Sequence, residues 1–483
     1  GIVSYLRGEN PLAFPMRLEP YETKENPVVI KPAQLPKLDY KGEELPESKR
    51  LKHLKIIPCV MKDGSYQREI YDKIKETGFG SFENEGISVS NIVFPGSSDE
   101  NYQDRISNKG FFKNFKKSVT AGKVKITPTN DAAIEMLKIS EIGKYSTKMR
   151  TILKSITETK TEGIVFVYSR YVWQGVVMLG LLLEMEGFTN NNGNLLKGDY
   201  GQGKRGDKAK YMIISGDMEL SRNNYINYIK KEARNKDGSK LKVILGSESA
   251  SEGLDFKYIR EVHVLDPWHH LNKIEQVIGR GIRYCSHIDL PVDQRNVTVF
   301  MYAATLSKDP SKDNETVDLK VYRDAENKDK QMADITYILK QNAVDCNLNI
   351  NNNKFTDDYF KDSKVTMIDS KNNKRNVNYR DTDNTRLCNY RDCDFKCSPD
   401  LHPNRDLKPS EIDTDTFDAT LVVENINQVI EIIKSLFTVD SVLELTEVAK
   451  DANITKMNID MDFVQLCLDT MVQKEILLRD KFD

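Results

Sequence analysis

The chain has 483 residues, length enough for about three domains. Its 71 Lys and Arg against 73 Asp and Glu leave a formal charge of −2, which excludes bulk charge as a means of attracting nucleic acid and leaves that role to local patches. Hydrophobic residues at 39% and charged residues at 30% fit a soluble globular protein with some loose polar segments, and no apolar run of about 18 residues marks a membrane span.

The opening "GIVSYLRGENPLAF" has no Met and lacks the basic start and long apolar core of a signal peptide. It reads as part of a longer, intracellular protein. Seven cysteines, three of them clustered, fit a reducing compartment better than a disulfide framework.

Residues 1–130 are read as a connecting region. Its first 60 residues are Pro-rich and charged, with short strands between extended connections. Within Gly110–Lys125, Lys113, Lys116, Lys117, Lys123 and Lys125 surround Phe111, Phe112 and Phe115. Such interleaving suits a surface facing nucleic acid, and equally a solvated helix face with a buried Phe side.

Residues 131–305 turn regular. Ser146 is a plausible N-cap for a helix with Met149, Ile152, Leu153 and Ile156 at helical spacing. "GIVFVYS" (163–169) is a buried strand, and the apolar-periodic stretch 171–188 is a helix closed by Gly187. Residues 209–218, 259–268 and 296–305 read as further strands and 241–256 as a strand and loop, with a helix at 221–234. Strands that are continuous apolar runs, alternating with helices, predict an α/β fold: a parallel sheet covered on both faces. Ligands bind at the carboxyl ends of such strands, where "VYS", "GSESASEGLDF" and "DPWHH" fall.

Residues 306–410 are rich in Asn, Asp and Lys and read as a loose extension. Residues 411–483 read as a small domain of three helices and a closing strand, either a winged helix or a helical docking module.

In "IEQVIGRGIR" (274–283), Arg280 and Arg283 stand three apart and are expected on one helical face, beside Gln276. Guanidiniums so placed suit the clamping of phosphate oxygens. The strand ending in Tyr168-Ser169, then Ser247 through Asp255, then Gln276-x-x-Gly279-Arg280-x-x-Arg283 resemble, in order and spacing, the fourth, fifth and sixth motifs of superfamily 2 helicases. The wider wording of residues 1–350 resembles the helicase-like ATPases of large cytoplasmic DNA viruses, relatives of the poxvirus early transcription factor small subunit and of the viral nucleoside triphosphatase.

The resemblance implies a second RecA-like domain. Arg280 and Arg283 would be arginine fingers for ATP and its Mg2+, with Gln276 bonding in the same cleft. Gly253, Asp255 and Gly279 would line the nucleotide side, the glycines at 279 and 281 letting a phosphate chain approach. Tyr168, Ser169, Ser247 and Ser249 would face the phosphates of a DNA or RNA strand. Expected partners are the first RecA-like domain of the same protein and a viral RNA polymerase or sister transcription-factor subunit, with no membrane. The host cytoplasm and the virion are the implied locations. A non-catalytic RecA-like scaffold is the alternative.

"GDYGQGKR" (198–205) fits G-x-x-x-x-G-K, but Arg205 replaces the Mg2+-binding hydroxyl and no apolar strand precedes it. "SSDEN" (97–101) is no acidic second motif for the same reason. The other wall of the ATPase site is therefore expected outside this sequence. Cys346, Cys388, Cys393 and Cys397 can hold a structural zinc, with His402 in reserve, or remain unligated.

Overall fold

The computed structural model describes residues 13–20, 29–76, 82–97, 101–120, 122–157, 162–198, 209–217, 219–221, 235–248, 256–348, 350, 364–378, 380–398, 419–457 and 459–479. The chain divides into two compact units, residues 1–401 and 402–483. In chain order the first begins with β1 (Met16–Leu18), β2 (Ile56–Val60), α1 (Tyr66–Glu76), α2 (Phe82–Asn91) and α3 (Ser107–Asn114). The hairpin of β3 (Phe115–Thr120) and β4 (Lys123–Pro128) follows, then α4 (Asp131–Glu135), α5 (Thr147–Thr157) and β5 (Ile164–Tyr168). Next come α6 (Met178–Met185), β6 (Thr189–Asn190), β7 (Lys210–Ile214), β8 (Leu241–Gly246), β9 (Ile259–Val264) and α7 (Leu271–Ile278). The unit closes with β10 (Asn296–Thr305), α8 (Val317–Gln341) and a second hairpin, β11 (Lys364–Ile368) with β12 (Lys374–Asn378).

Eight of these strands form a parallel sheet in the order β1-β10-β9-β5-β8-β7-β6, with β2 also on β10. Its faces follow from the two-residue period of a strand. Val165 and Val167 pack with the apolar residues of α5 and α6 on one face. Ile164, Phe166 and Tyr168 pack with α7 on the other. The α/β fold expected from the apolar runs, a parallel sheet with helices on both faces, is the fold observed.

The cap of α5 forms as its sequence predicts: the Met149 amide donates to Ser146 Oγ at 3.1 Å. The stretch after β5 differs. It begins with a wide π-turn over Val172–Val177 and only then becomes α6. Gly175 lies so near Ser169 that a β-carbon there would be 2.3 Å from the Ser169 hydroxyl, and the widened turn accommodates that approach.

Two boundaries are corrected. Residues before 131 are more than a connector, because β1 and β2 extend the main sheet along successive parts of β10. Nor is 306–341 loose. The charges of α8 that suggested solvent are buried in specific partnerships. Asp318 pairs with Lys148 at 2.8 Å, Glu315 takes two bonds from Arg323, and Glu326 accepts the amides of Lys52, His53 and Leu54. The helix expected at 221–234 lies outside the described residues.

The second unit has its own core, with Val429, Ile433, Ile454, Val464 and Cys467 buried. It is built from α9 (Ala419–Phe437), α10 (Leu445–Ala449), α11 (Ala452–Lys456) and α12 (Met461–Gln473). Among its described residues no strand closes it, so the expected strand of a winged helix is absent there.

Candidate functional site

The segment "IEQVIGRGIR" does not run as one helix. Helix α7 ends at Ile278, and Arg280 and Arg283 stand on the turn that follows. Amides of Gly279, Arg280 and Gly281 bond back to the carbonyls of Glu275, Val277 and Ile278, which tightens the chain as it leaves the helix. Gln276 is exposed on α7, and both arginines are half-buried.

Gly281 has another use than the expected phosphate approach. A β-carbon there would lie 2.9 Å from Val262 Cγ2 and 3.1 Å from Ile259 Cγ2, so the missing side chain lets the turn sit directly on β9. Gly279 borders a cavity of about 780 Å³ behind α7, beside Glu275, whose carboxylate takes two bonds from Arg17 at 3.0 and 3.3 Å.

The turn is pinned beyond the arginines. The Ser286 amide donates to the Arg283 carbonyl at 3.2 Å, its hydroxyl donates to His287 Nδ1 at 2.8 Å, and the buried His287 donates from Nε2 to the Ile259 carbonyl at 2.8 Å. A carbonyl only accepts, so Nε2 carries the proton. Burial pushes the His287 pKa down to about 4, leaving the ring neutral near neutral pH. The Cys285 amide bonds to the Ala13 carbonyl, and the Tyr258 hydroxyl to Asp289 at 2.7 Å. The arginines thus project from a turn held on three sides.

At the carboxyl edge of the sheet, Asp266 is the organising residue, one that the motif spacing did not single out. It is buried and accepts from the Ser169 hydroxyl at 2.5 Å and from the Arg170 amide at 3.1 Å. Burial raises its carboxyl pKa, opposed by the Ser169 bond. The signal was the polar Asp directly after Val264 and Leu265 at the strand end in "VHVLDPW". Ser169 is fully buried with its hydroxyl committed to Asp266 and its amide to the Gly246 carbonyl. Tyr168 is buried as well, its hydroxyl accepting from Trp268 Nε1 at 3.1 Å. Ser247 is buried with its amide on the Ile214 carbonyl. Of the residues expected to face a strand's phosphates, Tyr168, Ser169 and Ser247 are therefore buried. The cation at this edge is Arg170, whose guanidinium lies 4.8 Å from the Tyr171 ring centre and 5.6 Å from that of Trp268. His269 turns to Glu83 at 3.3 Å and not to the turn after α7.

The two groups of residues occupy opposite ends of the strands. Gly281 rests on Ile259, the first residue of β9, whereas Asp266 follows its last. Gly253, Asp255 and Ser249 lie outside the described residues, as do Gly and Lys of the "GQGKR" loop at 201–205.

The zinc reading is overturned. Cys346 is bonded to Cys397 and Cys388 to Cys393, so no thiolate of the four remains to ligate a metal. Among the described residues no group of three or more His, Cys, Asp or Glu is placed to hold an ion. The preference for unpaired thiols over disulfides falls with it.

Residues 147–285, from the start of α5 through the turn after α7, match the family "Helicase conserved C-terminal domain". Over these residues the chain is similar to helicase C-terminal domains. It resembles superfamily 2 helicases of large DNA viruses. Two proteins of Acanthamoeba polyphaga mimivirus, each named "Putative ATP-dependent RNA helicase", are similar to it. One is 25% identical over 93% of this chain and 42% of its own length, the other 32% identical over 50% and 39%. The "Termination factor NPH-I homolog" of African swine fever virus is 26% identical over 45% of this chain and 37% of its own. The chain thus spans about two fifths of the length of these relatives. No helix among the described residues is long and apolar enough to cross a membrane.

Proposed function

We propose that this domain belongs to the C-terminal part of an ATP-dependent nucleic-acid helicase or translocase acting in viral transcription, in initiation, termination or remodelling. The observation that carries this reading is the finger turn: two arginines, preceded by an exposed Gln276, on a turn anchored by Gly281, Ser286 and His287. Transition-state charge on a transferring phosphoryl group is best met by cations already fixed in place, because no reorganisation is then needed during the reaction.

In this reading ATP and Mg2+ are held mainly by the first RecA-like domain of the same protein. Arg280 and Arg283 reach the phosphates from this side, Gln276 adds a hydrogen bond, and Gly253, Asp255 and Gly279 lie on the nucleotide side. A DNA or RNA strand crosses the opposite, carboxyl edge. There the buried Ser169 positions Arg170 through Asp266 and Tyr168 holds the Trp268 ring beside it, and the segment of Ser247 and Ser249 adds contacts. A viral RNA polymerase or sister subunit is the expected protein partner, in the host cytoplasm and the virion.

The test is Arg280→Ala in the full-length protein. Turnover should fall by on the order of a thousandfold, with nucleotide affinity retained. Undiminished turnover would sink the assignment and leave the RecA-like scaffold as the reading.

A further inference from the structure

Helix α3 and the hairpin after it separate three neighbouring phenylalanines into two roles. Phe111 and Phe115 are fully buried, with rings 5.2 Å apart, and both pack edge-on against Phe94. Phe112 packs edge-on against Phe111, with ring centres 5.2 Å apart, yet stands at the surface. It is 44% exposed, with its ring 5.1 Å from that of Trp173. Phe111 and Phe115 supply the core contacts, so packing alone does not account for an exposed ring here.

Its surroundings are basic. Lys109 and Lys113, three residues before and one after, are exposed, as is Lys116 at the start of β3. In the hairpin, Lys116 pairs with Thr127, Ser118 with Lys125 and Thr120 with Lys123. Cross-strand partners share a face, so three lysines and three hydroxyl side chains line one side of it. Lys117, on the other side, lies 5.0 Å from the Trp173 ring centre and pairs with Glu219. Lys109 is paired with Asp104, and Lys125 Nζ bonds to the Asn194 carbonyl. Trp173 is four residues after Ser169, so this surface continues the edge that carries Arg170.

We infer that Phe112 is a stacking surface for an unpaired base of a nucleic-acid strand whose phosphates run along Lys109, Lys113 and Lys116. An aromatic face among cations meets both parts of a nucleotide, the base by stacking and the phosphate by charge. An acidic peptide would engage the lysines and leave the ring unused. The inference rests on the reading that this domain binds nucleic acid, and it assigns a contact outside the helicase motifs.

The experiment measures fluorescence anisotropy of labelled oligo-dT and oligo-U, of about 20 nucleotides so as to exceed one binding site. Titrations across salt use the chain and its variants, with polyphosphate and poly-glutamate as competitors that carry no bases. Phe112→Ala should weaken oligonucleotide binding about tenfold, with the salt slope unchanged, and Phe112→Trp should retain it. Joint replacement of Lys109, Lys113 and Lys116 by Ala should instead flatten the salt slope, by about 0.7 for each phosphate that is no longer neutralised. Competition by polyphosphate and poly-glutamate should not depend on Phe112. Phe112→Leu, which keeps apolar packing on Phe111 and Trp173 without an aromatic face, should lose binding as Phe112→Ala does while keeping the parent's thermal midpoint. Oligonucleotide binding that ignores Phe112 would overturn the stacking role alone. Equal weakening toward poly-glutamate would overturn it in favour of a peptide site. Failure of the parent chain to bind either oligonucleotide would overturn both this inference and the nucleic-acid reading beneath it.

Discussion

His287 donates from Nε2 to the carbonyl oxygen of Ile259 at 2.8 Å, tying the end of the finger turn to the first residue of β9. That bond requires no charge on the ring, and burial holds its pKa near 4, below the ordinary 6.5. The unfolded chain therefore takes up the proton first. The stability this residue confers is complete above about pH 6.5 and is lost between there and about pH 4, amounting to about 3 kcal/mol. His263, also pushed down by burial, acts in the same direction. Denaturant unfolding between about pH 7.5 and about pH 4.5 should show falling stability, and His287→Gln should shallow that fall. A variant with the parent's full pH dependence would show that another group titrates.

Gly281 is the turn's second anchor. Gly281→Ala would place a methyl 2.9 Å from Val262 and 3.3 Å from Val297, in a packed core that yields little. The expected cost is about 1–3 kcal/mol, read as a lower denaturant midpoint with an unchanged m-value. Because the displaced segment carries both arginines, ATP turnover of the full-length variant should fall more steeply than its folded fraction. Equal losses would separate the turn from catalysis.

A third prediction concerns α8. Lys148 Nζ and Asp318 Oδ2 are 2.8 Å apart with both side chains fully buried, and the same oxygen accepts the Ala304 amide. Removing one partner strands the other charge in the core. Asp318→Ala and Lys148→Met should each cost about 3–5 kcal/mol. Combining Lys148→Met with Asp318→Leu should recover much of that stability, since neither charge then remains. A double variant as unstable as the sum of the singles would mean that the amide bond to Ala304 matters more than the pair.

The same pair marks the limit of what local sequence could reveal. "GIVFVYS" and "VTVFMYAAT" declare buried parallel strands because nearly every position is apolar, and Ser146 declares a helix start by its place before the apolar period. Such signals are local. The addition of β1 and β2 to β10 is not, since it joins residues more than 240 apart that look like loop. The charges of 315–329 read as solvated because their partners, Lys148 and the amides of 52–54, are distant in sequence. Order and spacing singled out the arginine pair and put it on one helical face, yet the helix ends before Arg280. Ser169 was legible as a strand-end hydroxyl, while its engagement by Asp266 depends on two strand ends meeting.

The cysteines give a chemical test of the Asn-rich region. Cys346 is bonded to Cys397 and Cys388 to Cys393, leaving Cys59, Cys285 and Cys467 as thiols. Burial raises the pKa of Cys59 to about 12 and that of Cys467 to about 11, so both are poor nucleophiles in the folded chain. Cys285, half-buried beside the finger turn, should be alkylated first under native conditions. Denaturation without reductant should expose the three thiols, and reduction should bring the total to the seven in the sequence. Chelators should change neither the counts nor the melting temperature, because no thiolate in the cluster is left to hold zinc. The Cys346–Cys397 bond closes a segment of 51 residues, so its reduction should destabilise the region by on the order of 4 kcal/mol through loop entropy. Stoichiometric zinc together with seven alkylatable thiols in the absence of reductant would refute the pairing and restore the metal.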